Sequence, residues 1–293
     1  MTRAGLVVLI WAAGCALGDS SRRSSASVQP DTMGVAVEAR EIPTRLRSDL
    51  VEASAAVLSA TQPGILWVIN DSGHEPVLFA VDTGGSDRGV WRVAGASNVD
   101  WETATMGPCG APGNPARAAA GRPRCIFIGD VGDNGARRDA VTIYRVPEPA
   151  AKEASFAGVV ESEALPFRYS DGPHDVEAMY ASRSGTIFLI TKRPLADSGG
   201  RRRPALVFEL PAAAWGRGHR PAVAALHDSL PIVPGNGSGR VITEAALSPD
   251  GRRLAVRTYT QLYVFDTDPG TGRIRPGRAP TVCSLAGLRE RQG

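Results

Sequence analysis

Apolar positions along this chain fall in short runs that stop abruptly at polar residues. Four such runs are "ILWVINDSG" (65–73), "CIFIGDVGDN" (125–134), "IFLITKRP" (187–194) and "LAVRTYTQ" (254–261). A second apolar run follows each: "VLFAVDTGG" (77–85), "TIYRVPEP" (142–149), "LVFELPAA" (206–213) and "LYVFDTDPG" (262–270). Their length and β-branched or aromatic content fit buried strands. Upstream of each pair lies a short segment with a central glutamate: "LVEAS" (Glu52), "VDWETA" (Glu102), "DVEAM" (Glu177) and "ITEAA" (Glu244). Asp250-Gly251 in "LSPDGRRLAV" and Ser184-Gly185 in "ASRSGTIFL" read as tight turns joining a glutamate segment to the next strand. No stretch holds a helical period between caps, and "PAAAWGRG" is too short and broken by glycine.

Each unit thus reads as glutamate strand, turn, apolar strand with a polar end, apolar strand, and a weaker outer strand such as "FRYSD" (167–171). Short antiparallel strands in repeated units predict an all-β fold, a β-propeller with at least four blade-like units. Loops at 107–124 and 194–204 account for the uneven spacing. A β-sandwich is the rival, but it would not place an acidic residue at the same point of every unit. The final "LRERQG" has the form of a lead-in to a further glutamate segment. The ring is therefore expected to be incomplete at the C-terminus, with the first and fourth units not joined through a sheet.

The motifs "NDSG" (70–73), "DWE" (100–102), "GDVGDN" (129–134), "YRVPEP" (144–149), "DVEAM" (175–179), "TKRP" (191–194) and "SPDGRRLAVRTY" (248–259) together resemble a group of exported bacterial β-propeller proteins of poorly defined function. The resemblance covers about residues 50–265 and implies the fold and export. It implies no established reaction. The chain departs from the group at its C-terminal end.

The N-terminus agrees with export. Arg3 precedes the apolar run "AGLVVLIWAAG", which ends at Cys15. That run has the form of a secretory signal and is shorter than the roughly 20 residues a membrane span requires. "AAGC" is similar to the lipobox of bacterial lipoproteins, in which the cysteine is lipidated, although Ala12 stands where leucine is usual. Residues 1–15 are accordingly expected to be a signal peptide ending at a lipidated Cys15. Residues 16–34, polar and Ser-rich, form a tether, and 35–293 the propeller. A soluble signal peptide cleaved nearby is the alternative.

The chain has 293 residues, 43% hydrophobic and 22% charged, enough to bury a full core. Its formal charge of +3 argues for neither a nucleic-acid partner nor a membrane surface, so membrane contact would come through the lipid alone. The basic run "GRRRP" (200–204) reads as a solvated hairpin tip. In an oxidising compartment, Cys109 and Cys125 bracket a Pro/Gly/Ala-rich insertion that a disulfide would close; two free thiols are the alternative. Cys283 has no evident partner.

Placed on equivalent inner strands, Glu52, Glu102, Glu177 and Glu244 would approach one axis. Carboxylates that close need compensation by proton uptake, a cation or basic side chains. Ca²⁺ suits oxygen ligands of loose geometry, and Asn70, Asp71, Asp130, Asp133 and Asn134 could add oxygens. Lys192 and Arg257, at strand ends of the third and fourth units, would instead make an internal ion-pair belt. "GDVGDN" lacks the EF-hand spacing and reads either as a metal loop or as a turn bonded to its own backbone. His74 and His174 show no transition-metal spacing. No nucleophile elbow, Walker loop or dinucleotide fingerprint is present, and "GNGSG" (235–239) reads as a flexible turn.

Two functions follow. One is an exported, lipid-anchored propeller that binds a protein partner or small ligand at one face, with a Ca²⁺ site. The other is a metal-dependent hydrolase of phosphoesters or lactones working at the acidic rim. Fold alone does not choose between them.

Overall fold

The computed structural model describes residues 47–110, 124–192, 204–216, 220–232 and 241–285. Cys15, the signal and tether segments, the insertion 111–123, the run 201–203, "GNGSG" and the final 286–293 lie outside the described residues.

The described chain forms four antiparallel blades. The first holds β1 (Ala53–Leu58), β2 (Ile65–Asn70), β3 (Val77–Asp82) and β4 (Asp87–Ala94) in spatial order. The second holds β5 (Trp101–Pro108), β6 (Arg124–Asp130), β7 (Val141–Pro147) and, after β8 (Ala157–Glu161), the outer strand β9 (Glu163–Tyr169). The third runs β10 (Val176–Ala181), β11 (Ile187–Thr191), β12 (Leu206–Leu210) and β13 (Ala222–Ser229). The fourth runs β14 (Ile242–Leu247), β15 (Arg253–Thr258), β16 (Gln261–Asp266) and β17 (Thr281–Ser284). Between β12 and β13 the "PAAAW" stretch makes one short 3₁₀ turn at Ala212–Ala214.

The glutamate segments supply the innermost strands, and these pack in the order β1, β5, β10, β14. This is the arrangement of a β-propeller. The middle strands of the second and third blades are apolar on both faces because each face meets a neighbouring blade. The outward faces of the first and fourth blades bury small clusters of their own, Leu66, Val68 and Phe79 with Leu50, and Ala255 and Leu262 with Cys283 and Leu285. Trp67, Ile69 and Leu78 of the first blade pack with Trp101, Ile126 and Ile128 of the second. Phe127, Ile143 and Phe167 meet Met179, Leu189 and Phe208 at the second interface. Tyr180, Phe188 and Ile190 meet Leu254, Val256 and Phe265 at the third. Each such side chain, fully buried, contributes about 1.5–3 kcal/mol before entropy is counted.

Two parallel pairings clasp the outer rim. The chain leaves the second blade after β7, lays β8 along β4 of the first blade, then returns as β9. β9 in turn pairs with β13 of the third blade. Cys109 and Cys125 are disulfide-bonded, with Cα atoms 4.9 Å apart. Among the described residues no strand pairing joins the first and fourth blades.

Candidate functional site at the channel mouth

Each inner strand carries a bulge close to its start. Ladder partners skip one residue between Ala53 and Ala55, Trp101 and Thr103, Val176 and Ala178, and Ile242 and Glu244. The extra residues are Ser54, Glu102, Glu177 and Thr243. A bulge re-aims the side chain it carries. Only Glu102 and Glu177 among the four glutamates are therefore equivalent. Glu52 lies two residues earlier in register, and Glu244 one residue later, where its ladder partner is Arg257. The expected fourfold repeat of glutamates is corrected on this point: one residue of slip moves Glu244 to the other face of its strand, and Glu52 lies before β1 begins.

The same registers align Glu52 with Asp100 and Asp175, each two residues before the bulge. Sequence reasoning passed over Asp100 and Asp175. Their signal was the shared spacing of "DWE", "DVE" and the related "EAS". Strand-end equivalence also differs from expectation. Asn70, Asp130, Thr191 and Thr258 occupy one position, each paired to the residue before a bulge. Lys192 follows Thr191 directly, as Asp71 follows Asn70, whereas Arg257 precedes Thr258 and does not share its place.

Three of the acids converge. Carboxylate oxygens of Asp71, Asp100 and Glu102 all lie within 4.8 Å of one another. Glu102 is buried and accepts a bond from the Ser54 hydroxyl at 3.1 Å, so neighbouring bulge residues touch. Glu177, also buried, pairs with the Lys192 ammonium. Burial and the charges of Glu177, Asp71 and Asp100 push the Glu102 carboxyl up to about 9. Glu177 rises to about 7 through burial, held back by its bond to Lys192. Asp100 is also raised, by burial and then by Asp71. Burial alone would lower the Lys192 pKa, but the bond and charge of Glu177 raise it on balance. Lys192 thus compensates part of the cluster, and the proton held on Glu102 by its raised pKa compensates another part.

"GDVGDN" frames this cluster from behind. The Asp130 carboxylate accepts the Asp100 N–H at 3.0 Å and the Val99 N–H at 3.3 Å, and pairs with Arg138 at 2.8 Å. It therefore fixes the approach to β5. The Asp133 carboxylate accepts the Arg137 and Arg138 N–H groups at 2.7 Å, closing the turn. The Asp133 N–H donates to Asp175 at 2.9 Å. Gly132 has no room for a side chain: a Cβ there would sit 2.4 Å from Asp100 Oδ2 and 2.8 Å from Glu102 Cγ. Two acids and a glycine thus hold the cluster, while Asn134 is exposed.

The other candidates stand apart from the cluster. Buried Asn70 donates to the Asp49 carbonyl at 2.8 Å. Exposed Glu52 lies 3.2 Å from His74, and buried His174 lies 2.8 Å from Asp171. The mouth accordingly presents several converging carboxylate oxygens, a hard-donor set of the kind that suits a divalent cation.

No protein-family model matches the chain, and no curated protein does. Several solved structures are similar to it. One is the β-propeller domain of Myceliophteria thermophila Cps50 (Swd1), 15% identical over 81% of this chain and 57% of that one, with a TM-score of 0.37. Another is a luciferin-regenerating enzyme, 13% identical over 78% of this chain and 60% of that one, TM-score 0.39. A third is YCF48 bound to D1 peptide, 13% identical over 74% and 49%, TM-score 0.28. The chain spans less than two thirds of the length of each. At these levels of similarity, the propeller assignment rests on the blade geometry of the chain itself.

Proposed function

We propose that this protein is an exported, lipid-anchored binding propeller whose channel mouth takes a divalent cation, Ca²⁺, and through it a partner or small ligand. The observation that carries the reading is the convergence of Asp71, Asp100 and Glu102 within 4.8 Å, with Glu102 buried. A bound cation would replace the proton on Glu102 and relieve the repulsion among the three acids. Its remaining coordination positions would be open to a ligand's oxygens. Export and anchoring at Cys15 rest on the N-terminal pattern and place the site outside the cytoplasm.

Thermal melts in Ca²⁺ and in chelator test the cation site. Calcium should raise the melting temperature, and Asp100→Asn should largely abolish the rise. No rise in the wild-type protein would sink the reading and leave the mouth an internal belt of protons and ion pairs. Intact mass of membrane-extracted protein tests the anchor, since an unmodified chain beginning elsewhere would exclude it.

The hydrolase reading has one observation of its own. Glu177, raised to about 7, can exchange a proton near neutral pH beside the cluster. Calcium-dependent cleavage of a model phosphoester or lactone, lost in Glu177→Gln, would favour it. Absence of turnover on both would leave binding alone.

A further inference from the structure

The turn behind the acidic mouth contains an Asn-Gly pair, Asn134-Gly135. An asparagine is chemically unstable when the amide nitrogen of the next residue can reach its side-chain carbonyl carbon. A glycine in that next position hinders the approach least, having no side chain and the widest backbone freedom. The described asparagines are Asn70, Asn98 and Asn134, and the fold restrains the first two. Buried Asn70 donates its amide to the Asp49 carbonyl at 2.8 Å, and the following Asp71 N–H is committed to the Glu52 carbonyl at 2.9 Å. Asn98 donates to the Asp71 carbonyl at 2.7 Å and accepts the Trp101 N–H at 3.1 Å. Its follower is the branched Val99, whose N–H donates to Asp130 at 3.3 Å.

Asn134 has none of these restraints. It is exposed, as is Gly135, and its side-chain amide makes no hydrogen bond among the described residues. The Gly135 N–H also lacks an acceptor there. The turn closes around the pair instead. The Ala136 N–H donates to the Asp133 carbonyl at 2.8 Å, and the Asp133 carboxylate takes the Arg137 and Arg138 N–H groups.

We infer that Asn134 is a site of self-modification, which converts to aspartate and isoaspartate with water as the only co-reactant. The Gly135 nitrogen attacks the Asn134 side-chain carbonyl carbon, a C–N bond forms, and ammonia leaves with the Gly135 proton. Water then opens the cyclic imide at either carbonyl. One opening yields aspartate. The other routes the main chain through the side-chain carbon and lengthens it by a methylene. That extra length falls between Asp133 and the Arg137 and Arg138 N–H groups that its carboxylate holds at 2.7 Å. It should loosen this closure, and with it the placing of Arg138 on Asp130. The reaction is independent of whether the mouth takes a cation.

Peptide mapping of the full chain after prolonged incubation in mildly alkaline buffer tests it. The peptide ending at Arg137 should gain the mass difference between water and ammonia and divide into aspartate and isoaspartate forms. Peptides carrying Asn70 and Asn98 should keep their mass. Gly135→Ala should slow the conversion several-fold, and the turn can accept it, because a Cβ there meets only the Arg137 side chain, at 3.2 Å. Asn134→Gln should remove the conversion. No gain in the folded protein, under conditions where the denatured chain converts, would overturn the proposal. So would equal conversion at Asn70 or Asn98, or a Gly135→Ala protein that converts as fast as the wild type. The isoaspartate fraction should melt at a lower temperature than fresh protein. Asn134→Asp, which adds the charge without the longer main chain, should melt as fresh protein does. An isoaspartate fraction that melts unchanged would overturn the link between this turn and the mouth.

Discussion

A carboxyl group in the surroundings of Glu102 titrates differently in the folded and unfolded chain. Unfolded, it releases its proton near 4.5; folded, near about 9. Across that interval the folded state keeps a proton the unfolded state has lost, so stability falls as pH rises through it. Glu177 adds to the fall between 4.5 and about 7. In chelator, the melting temperature should therefore decline from roughly pH 5 to 9. Glu102→Gln, which keeps the shape and removes the titration, should flatten the upper part of that decline and stabilise the protein by roughly 1–3 kcal/mol at the alkaline end. A wild-type profile already flat above neutrality would contradict this account of the mouth. With Ca²⁺ the wild-type slope should shrink, since a cation rather than a proton would then compensate the charge.

At the scale of elements, the loop after β6 and the bulges of the inner strands set the site. Gly132→Ala should push the loop away from Asp100 and Glu102, because the new methyl would meet Asp100 Oδ2 at 2.4 Å. A loss of about 1–3 kcal/mol is expected, together with most of any calcium response. An alanine variant that melts and binds as the wild type would show the loop to be free to move. Replacing both Cys109 and Cys125 with serine should cost about 3 kcal/mol, given their separation of 16 residues, as read from denaturant melts of the oxidised protein and the variant. These same elements show where sequence reading reaches its limit. The apolar runs marked every middle strand, since residues 65–70, 124–130, 187–191 and 253–258 are buried on both faces and read as unbroken hydrophobic stretches. The bulges were not legible. A bulge adds one residue without changing the character of the run, so aligning units on their glutamates set Glu52 and Glu244 beside Glu102 and Glu177. Asp100 and Asp175 went unnoticed for the same reason. Arg138 was also missed, because its partner Asp130 is eight positions away across a turn whose geometry composition does not fix.

On the scale of the whole molecule, the rim clasps make the blades unequal. β8 ties the second blade to the first and the β9–β13 pairing ties the third to the second. Among the described residues no such strand reaches the fourth. Native-state hydrogen exchange should then find β14 to β17 opening at lower free energy than the middle strands of the first three blades. Uniform protection across all four blades would contradict that ranking. The crossing of β8 also bears on how the chain comes to be folded during synthesis. The sequence from 53 to 94 contains all four of its own strands, yet its outermost edge at Val90–Ala94 stays bare until residues 157–161 have been made. The first blade cannot be finished before most of the second has emerged from the ribosome. A gene cut anywhere between the two would leave one product with an unpaired strand edge and the other with an orphan strand, so these blades should be inherited and expressed as one unit.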